Sequence, residues 1–309
     1  MLLGTASDGQ ASTGIEIFTQ RNAMTETQTN QEQIRYWNEE SGLKWVRLQQ
    51  RLDLQLEPLG LAVMERAGIK SGEHVLDAGC GCGQTALELA SRVGLQGSVV
   101  GLDISQPMLA RAQERQKELK RVNLEFIRAD AQTYAFARDR FDLIFSRFGV
   151  MFFDDPAVAF RNLRSALRAT GRLCFICWQE LAKNDWARVP LMAALQHVSP
   201  PPPPPLHAPG PFAFADPDRL RHILTYAGFT DVSLETHQTA LSLGGATTVE
   251  EASDFSLEIG PVGTLLRTAD ADTRAQVASS IREALRPYAG PDGVRLTGTT
   301  WIVSARAGN

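Results

Sequence analysis

The residues best placed to do chemistry in this 309-residue chain are three glycines and a series of charged residues that follow short apolar runs. Asp77-Ala78-Gly79-Cys80-Gly81-Cys82-Gly83 closes the run His74-Val75-Leu76 and opens into Gln84-Thr85-Ala86-Leu87. Glycines at 79, 81 and 83 describe a tight turn whose backbone, free of Cβ atoms, comes close to a ligand. Dinucleotide-binding turns space their glycines as G-x-G-x-x-G, the third small residue letting helix pack on strand, and Gln84 holds that place here. Further on, Asp103 follows Gly101-Leu102, Asp130 follows Arg128-Ala129, and Arg147 follows Phe145-Ser146. A carboxylate accepts several donors at once, so Asp103 suits the two hydroxyls of a ribose. Asp130, with the backbone N–H of Ala131, suits the edge of an adenine ring. Each Asp taken singly has a plainer explanation as a helix cap or turn former; their succession carries the reading.

The elements that must position these residues are legible as alternating patterns. Apolar runs over 74–79, 98–104, 124–129, 141–147 and 171–178 read as strands, and 84–93, 106–120 and 156–169 read as helices. Such alternation implies a Rossmann-like, doubly wound, mostly parallel α/β sheet with helices on both faces. Ligands bind such sheets at the carboxyl ends of the strands, where the residues named above fall. Ahead of this unit, residues 1–30 are polar and lack apolar periodicity, the composition of a disordered or leader segment; Met24 is an alternative start. Residues 31–70 form a helical pattern that Gly42 and Pro58 are expected to break or bend. Its aromatics Tyr36, Trp37 and Trp45 either pack that helix on the sheet or make it a lid over the site. Beyond Trp178 the pattern predicts a helix over 185–198, an extended proline connector over 200–205 and a helix over 216–227 stopped by Gly228. A strand over 231–237, helices over 249–259 and 271–288, and a final strand over 294–305 complete the chain.

The G-x-G-x-G turn after an Asp-ended strand resembles motif I of the class I S-adenosylmethionine (SAM)-dependent methyltransferases. Val99 to Ser105 resembles their ribose-binding segment and Asp130-Ala131 their adenine-binding segment. Phe141 to Phe153, with Leu163 to Leu167 and Gly171 to Leu173, is similar to the branch containing ubiquinone and menaquinone methyltransferases. The resemblance implies a seven-stranded sheet with an antiparallel last pair, within a domain over 71–309 whose insertions at 179–215 and 239–293 cap the carboxyl edge. It implies SAM as cofactor and S-adenosylhomocysteine (SAH) as product. The implied contacts are Tyr36, Trp45, Asp77, Gly79, Cys80, Gly81, Gly83, Asp103, Ile104, Met108, Asp130, Ala131 and Ser146. The implied reaction is in-line methyl transfer to a small or medium-sized, hydrophobic metabolite. Holding acceptor and methyl in a near-attack arrangement can supply as much as ~7–11 kcal/mol, so a dedicated catalytic residue is dispensable. Should a base assist, His197, His207 and His237 are the candidates, and Arg147 is placed to hold an anionic acceptor. Two rival readings are a SAM-binding scaffold without an acceptor site and, disfavoured by Gln84, a nicotinamide-dependent oxidoreductase.

Composition narrows the partners. A net charge of -4 disfavours a surface that tracks nucleic-acid phosphates. Ser146-Arg147-Phe148-Gly149 also replaces the Asn/Asp-Pro-Pro-aromatic signature of enzymes that methylate nucleobase amines. No apolar stretch approaches the roughly 18 residues of a spanning helix, and no basic region precedes an apolar one at the start; a cytoplasmic protein is expected. Cys174 and Cys177 lie three apart on a strand, hence on opposite faces, which argues against a metal site; they read as small buried hydrophobes. At Cys80 the backbone, more than the sulfur, would face the cofactor. Oligomeric state is left open.

Overall fold

The apolar runs assemble into one sheet, described here from a computed structural model over residues 31–200, 202–203 and 205–308; the expected leader at 1–30 lies outside the described residues. A helical stretch at 31–38 precedes α1 (Glu40–Arg47) and α2 (Gln49–Ala67). The alternating unit follows as β1 (His74–Ala78), α3 (Gln84–Val93), β2 (Ser98–Asp103), α4 (Gln106–Glu118), β3 (Leu124–Arg128), β4 (Phe141–Arg147), α5 (Pro156–Ala166) and β5 (Leu167–Trp178). Next come α6 (Asp185–Ala194), α7 (Pro217–Tyr226), β6 (Thr230–Ser242), α8 (Val249–Ser256), α9 (Gly260–Leu265), α10 (Ala271–Leu285), β7 (Ala289–Gly290) and β8 (Gly293–Arg306).

The strand order is β3-β2-β1-β4-β5-β8-β6. Strands β1 to β5 are mutually parallel, and β8 runs antiparallel to both β5 and β6. The two-residue β7 pairs with β8 and adds an eighth strand to the seven expected. From β1 the sheet grows one way through β2 and β3 and the other way through β4, and that reversal opens a crevice at the carboxyl ends of β1 and β4. Helices on both faces explain why the inner strands read as unbroken apolar runs: Val75, Leu76, Leu143, Ile144, Phe145, Leu173 and Phe175 are all buried. Each such side chain contributes about 1.5–3 kcal/mol of burial.

Contrary to the break expected from sequence, the N-terminal helices run through both Gly42 and Pro58, and the interruptions fall at Glu39 and Leu48. Pro58 sits inside α2 with Leu54 on the exposed face, where water can take the carbonyl that the missing N–H leaves free. Gly42 is a close approach: a Cβ there would lie 2.0 Å from the Trp37 carbonyl oxygen and 2.8 Å from Ser105 Oγ. Strand β5 begins at Leu167, where a helix was expected to run to 169, and α6 and α10 stop at Ala194 and Leu285. Strand β6 runs past 237 to Ser242, in register with β8 as far as Ser242↔Arg295. Its polar tail is held by pairing that no local pattern announces. Helix α8 packs on α9 and α10, and these two pack on α6, which joins the segments that follow β5 and β6 into one layer. The hollow inside that layer, between Trp186, Leu243, Phe255 and Val262, measures about 10 Å³, room for a single water. Among the described residues no helix is long and apolar enough to cross a membrane.

Candidate cofactor site

The glycine turn is built by backbone bonds that require its unusual conformation. The N–H groups of Gly79 and Cys80 both donate to the Leu102 carbonyl, at 2.8 and 3.1 Å, and that of Gly83 donates to Cys80 at 2.9 Å. Gly79, Gly81 and Gly83 have φ of 74°, 55° and 83°, the left-handed region that glycine enters without steric cost. Their surroundings differ. A Cβ on Gly79 would lie 2.6 Å from Gly149 Cα, and one on Gly83 would lie 2.9 Å from Ala112 Cβ. A Cβ on Gly81 would meet only the tip of Met108, at 2.8 Å. Two glycines thus serve packing, and the middle one meets a single flexible side-chain end.

Asp103 ends β2 beside this turn. Its Oδ2 accepts the Gly81 N–H at 2.8 Å and its Oδ1 accepts the Ser105 N–H at 2.9 Å. Burial pushes its carboxyl pKa up, against the backbone donors of Ser105, Gly81 and Ile104. Each carboxylate oxygen has capacity for a further donor. Asp77, the last acid of β1, is fully buried; its Oδ2 accepts from Thr85 Oγ at 2.6 Å, and its Oδ1 has no partner among the described residues. Burial raises its pKa to about 7, with the Thr85 bond and the Arg147 charge opposing and Asp103 reinforcing. Between about pH 4 and 7 the folded state therefore holds a proton that the unfolded chain has released, so stability falls as pH rises through that window. Relative to Asp77→Asn, the wild-type protein is expected to lose at most ~1.4 kcal/mol per pH unit there and to run parallel above pH 7. Urea unfolding at pH 5, 6, 7 and 8 checks this, and parallel curves throughout would refute the buried protonated carboxyl.

Asp130 behaves as a turn former: its Oδ1 accepts the Gln132 N–H at 2.8 Å and its carbonyl accepts from Thr133 and Tyr134. Ala131 beside it is buried, with its carbonyl taken by Asn162 Nδ2 at 2.9 Å. Ser146 is buried and spends its hydroxyl within the scaffold, donating to the Ala78 carbonyl at 2.7 Å and accepting the Gly149 N–H at 3.2 Å. That hydroxyl forms a clasp between β1 and β4. Gly149 has no packing role assigned from sequence, yet a Cβ there would lie 2.6 Å from the Ala78 carbonyl oxygen and 2.7 Å from Gly79 Cα. Phe148 takes φ of 65°, a strained setting for a bulky residue. It is held by its N–H bond to Ile176 at 3.1 Å and by a stack on Trp178, centroids 4.4 Å apart and planes 9° apart.

The N-terminal segment sits over the end of β2. Asn38 Nδ2 donates to the Ile104 carbonyl at 3.0 Å while its Oδ1 accepts the Gln106 N–H at 2.8 Å, and Ser105 Oγ donates to the Trp37 carbonyl at 2.6 Å. Trp37 packs edge-on to Trp45 at 5.8 Å and to Phe152 at 4.9 Å, whereas Tyr36 is exposed. Trp37 and Asn38, given no cofactor role from sequence, thus make the contacts that dock this segment. Met108 is buried beneath Gly81. From the other side, Arg115 pairs with Asp53 of α2 at 2.9 Å and donates to the Cys82 carbonyl at 2.9 Å. Burial drives the Cys82 thiol up to about 12 and Cys80 upward too, which removes both as nucleophiles.

Arg147 leaves β4 toward α2 and the first turn of α3: it donates to Gln84 Oε1, and a Cβ on Gly60 would lie 3.3 Å from its Cδ. It makes no ion pair among the described residues, and burial lowers its pKa against the charges of Asp53 and Asp77. The three histidines stand apart from this cluster. His197 Nε2 meets Ser280 Oγ at 2.7 Å in the cap layer, and His207 is exposed. His237, expected near the carboxyl end of its strand, lies mid-way along β6 opposite Thr300.

Residues 75–171 match a family model described as a methyltransferase domain. Aklanonic acid methyltransferase DauC of Streptomyces sp. (strain C5) is 33% identical over 118 residues, 38% of this chain and 54% of that protein. Demethylmenaquinone methyltransferase of Lactococcus lactis is 32% identical over 113 residues, 37% of this chain and 45% of that protein. The chain thus spans about half the length of these two curated relatives. Among solved structures, Haemonchus contortus phosphoethanolamine N-methyltransferase 2, in complex with phosphomonomethylethanolamine and SAH, shares the fold with a TM-score of 0.51 at 20% identity, over 82% of this chain and 53% of that one. Residues 75–171, which hold the glycine turn locked to Asp103, thus form a methyltransferase domain similar to those of these relatives.

Proposed function

We propose that this protein transfers the methyl group of SAM to a small or medium-sized, partly hydrophobic acceptor. The observation that carries the reading is the bond from Gly81 N–H to Asp103 Oδ2. It fixes an open left-handed glycine and a carboxylate side by side in the crevice, one for close backbone approach and one for a ribose. The orphaned Oδ1 of Asp77 would take a donor from the amino-acid end of the same cofactor. An apolar cluster after β4 and β5, from Phe148 on Trp178 to Trp186 at 4.8 Å from Trp178, and two relatives named for aklanonic acid and demethylmenaquinone support an aromatic acceptor. Bound SAM would supply a sulfonium methyl: the acceptor's lone pair would form the new bond to that carbon in line as the carbon–sulfur pair returns to sulfur, with the acceptor's proton passing to water and SAH released. Residues 31–70 act as the lid and the insertions as the acceptor-facing cap.

Calorimetric titration with SAM, SAH and NAD, followed by a screen of phenolic and quinol acceptors with methyl-labelled SAM, tests the proposal. Binding of NAD in place of SAH overturns it, as does SAH binding without turnover of any acceptor in the screen. Arg147 carries the proposal for an anionic acceptor group. Arg147→Ala is expected to raise the acceptor KM about tenfold or more, the scale of a lost charge-assisted bond, with SAH affinity within about twofold of wild type. Joint loss of melting temperature and SAH affinity would instead assign its guanidinium to holding Gln84 and α2.

A further inference from the structure

Away from the crevice, α1 faces the cap helices across a groove of about 380 Å³. Helix α1 is two-sided: Gly42 sits against Ser105 on the sheet side, and Leu43, 60% exposed, looks outward into the groove. Leu257 meets it from the cap wall. Around this apolar floor four cations, Lys44, Arg47, Arg267 and Arg274, face the carboxylates of Glu40 and Glu258. Glu258 is shared by Arg47 at 2.9 Å and Lys44 at 4.0 Å. Arg274 spends one N–H on the Leu266 carbonyl at 3.0 Å. The exposed Arg267 guanidinium makes no bond among the described residues. A chain of net charge -4 therefore concentrates positive charge around one apolar hollow. The volume lies within the roughly 300–1,000 Å³ of small-molecule pockets.

We propose that this groove binds an amphipathic monoanion, an arene carboxylate, whose ring lies on Leu43 and Leu257 and whose charge is met by Arg267 with Arg274. The site is separate from the cofactor crevice, with α1 between them. A ligand that touches both walls also reinforces the Glu258 clasp that holds α1 against the cap, so occupancy steadies the segment that lies over β2.

The test is fluorescence titration of the full chain with 2-naphthoate and with its neutral counterpart 2-naphthalenemethanol, each with and without saturating SAH. Saturable 2-naphthoate binding that survives SAH and weakens with salt, together with much weaker 2-naphthalenemethanol binding, is expected. Arg267→Glu should weaken 2-naphthoate about tenfold, the scale of one charge-assisted contact, and leave 2-naphthalenemethanol unchanged. Leu43→Ser should weaken both. SAH affinity, unchanged in Arg267→Glu, reports that the fold and the cofactor site are intact and tests the methyltransferase reading independently. Absence of saturable binding, displacement by SAH, or equal affinity for the charged and neutral probes would overturn the proposal.

Discussion

Gly81→Val is expected to abolish measurable SAH binding while leaving a folded protein. The argument rests on how differently the three turn glycines are enclosed. At Gly81 the only atom near a new Cβ is the end of the Met108 side chain, which can swing aside. The remaining cost is the left-handed backbone at φ 55°, about 1–2 kcal/mol for an L-residue. A cost of that size lowers the melting temperature by roughly 2–8 °C in a domain of this scale. The isopropyl group then stands beside Asp103, where the proposed cofactor would approach the backbone, and a fall of about a hundredfold in affinity corresponds to only ~2.7 kcal/mol of lost contact. Gly79→Val is the internal contrast: its Cβ meets Gly149 Cα, backbone against backbone, so that variant should lose the fold together with binding. Calorimetry with SAH beside thermal unfolding separates the two. A Gly81→Val protein that binds SAH normally would make the turn purely structural.

The contrast shows where the sequence was informative. The turn, the strand ends and the doubly wound order were legible because they are local: a buried strand is an apolar run, and a left-handed turn needs glycine. The scaffold around the turn is assembled from distant pieces and left no comparable trace. Ser146 reads as a polar residue at a strand end, and only the sheet register, which sets β4 beside β1, turns its hydroxyl onto Ala78. Gly149 reads as an ordinary loop glycine until Gly79 is placed against it. Asn38 looks like one more polar residue of a surface helix, yet it spans 66 positions to the Ile104 carbonyl. Arg147 was placed correctly along the chain at the end of β4, while its direction, toward Gln84 and Gly60, was set by the packing of α2. His197 and His207 fall in an expected cap and His237 at an expected strand end, all read by residue type alone, and packing puts His197 against Ser280, a contact 83 residues apart. Pro58 and the polar tail of β6 are the reverse case, in which tertiary packing overrides a local signal.

Asp103→Ala carries the second large effect, and here the chemistry of the cofactor can be read separately from the integrity of the turn. In the protein itself the carboxylate accepts from Gly81 and Ser105, so its removal frees two backbone donors that water can reach once the turn loosens. Towards a bound ligand it would accept both ribose hydroxyls, and a hydrogen bond to a charged group is worth about 1.5–3 kcal/mol. SAH affinity should therefore fall at least about tenfold by one such bond alone, and more if both are lost. The loosened turn would weaken any ligand of the crevice, whereas the lost ribose bonds weaken only ligands with the hydroxyls. Titration of wild type and Asp103→Ala with SAH and with its 2′,3′-dideoxy analogue distinguishes the two causes. The variant should bind the analogue within about threefold of wild type, a difference under ~0.7 kcal/mol, while its affinity for SAH drops to the analogue's level. An equal loss for both ligands would assign Asp103 to holding Gly81 and Ser105 alone, and an unchanged affinity for SAH in a folded variant would remove the carboxylate from the cofactor site.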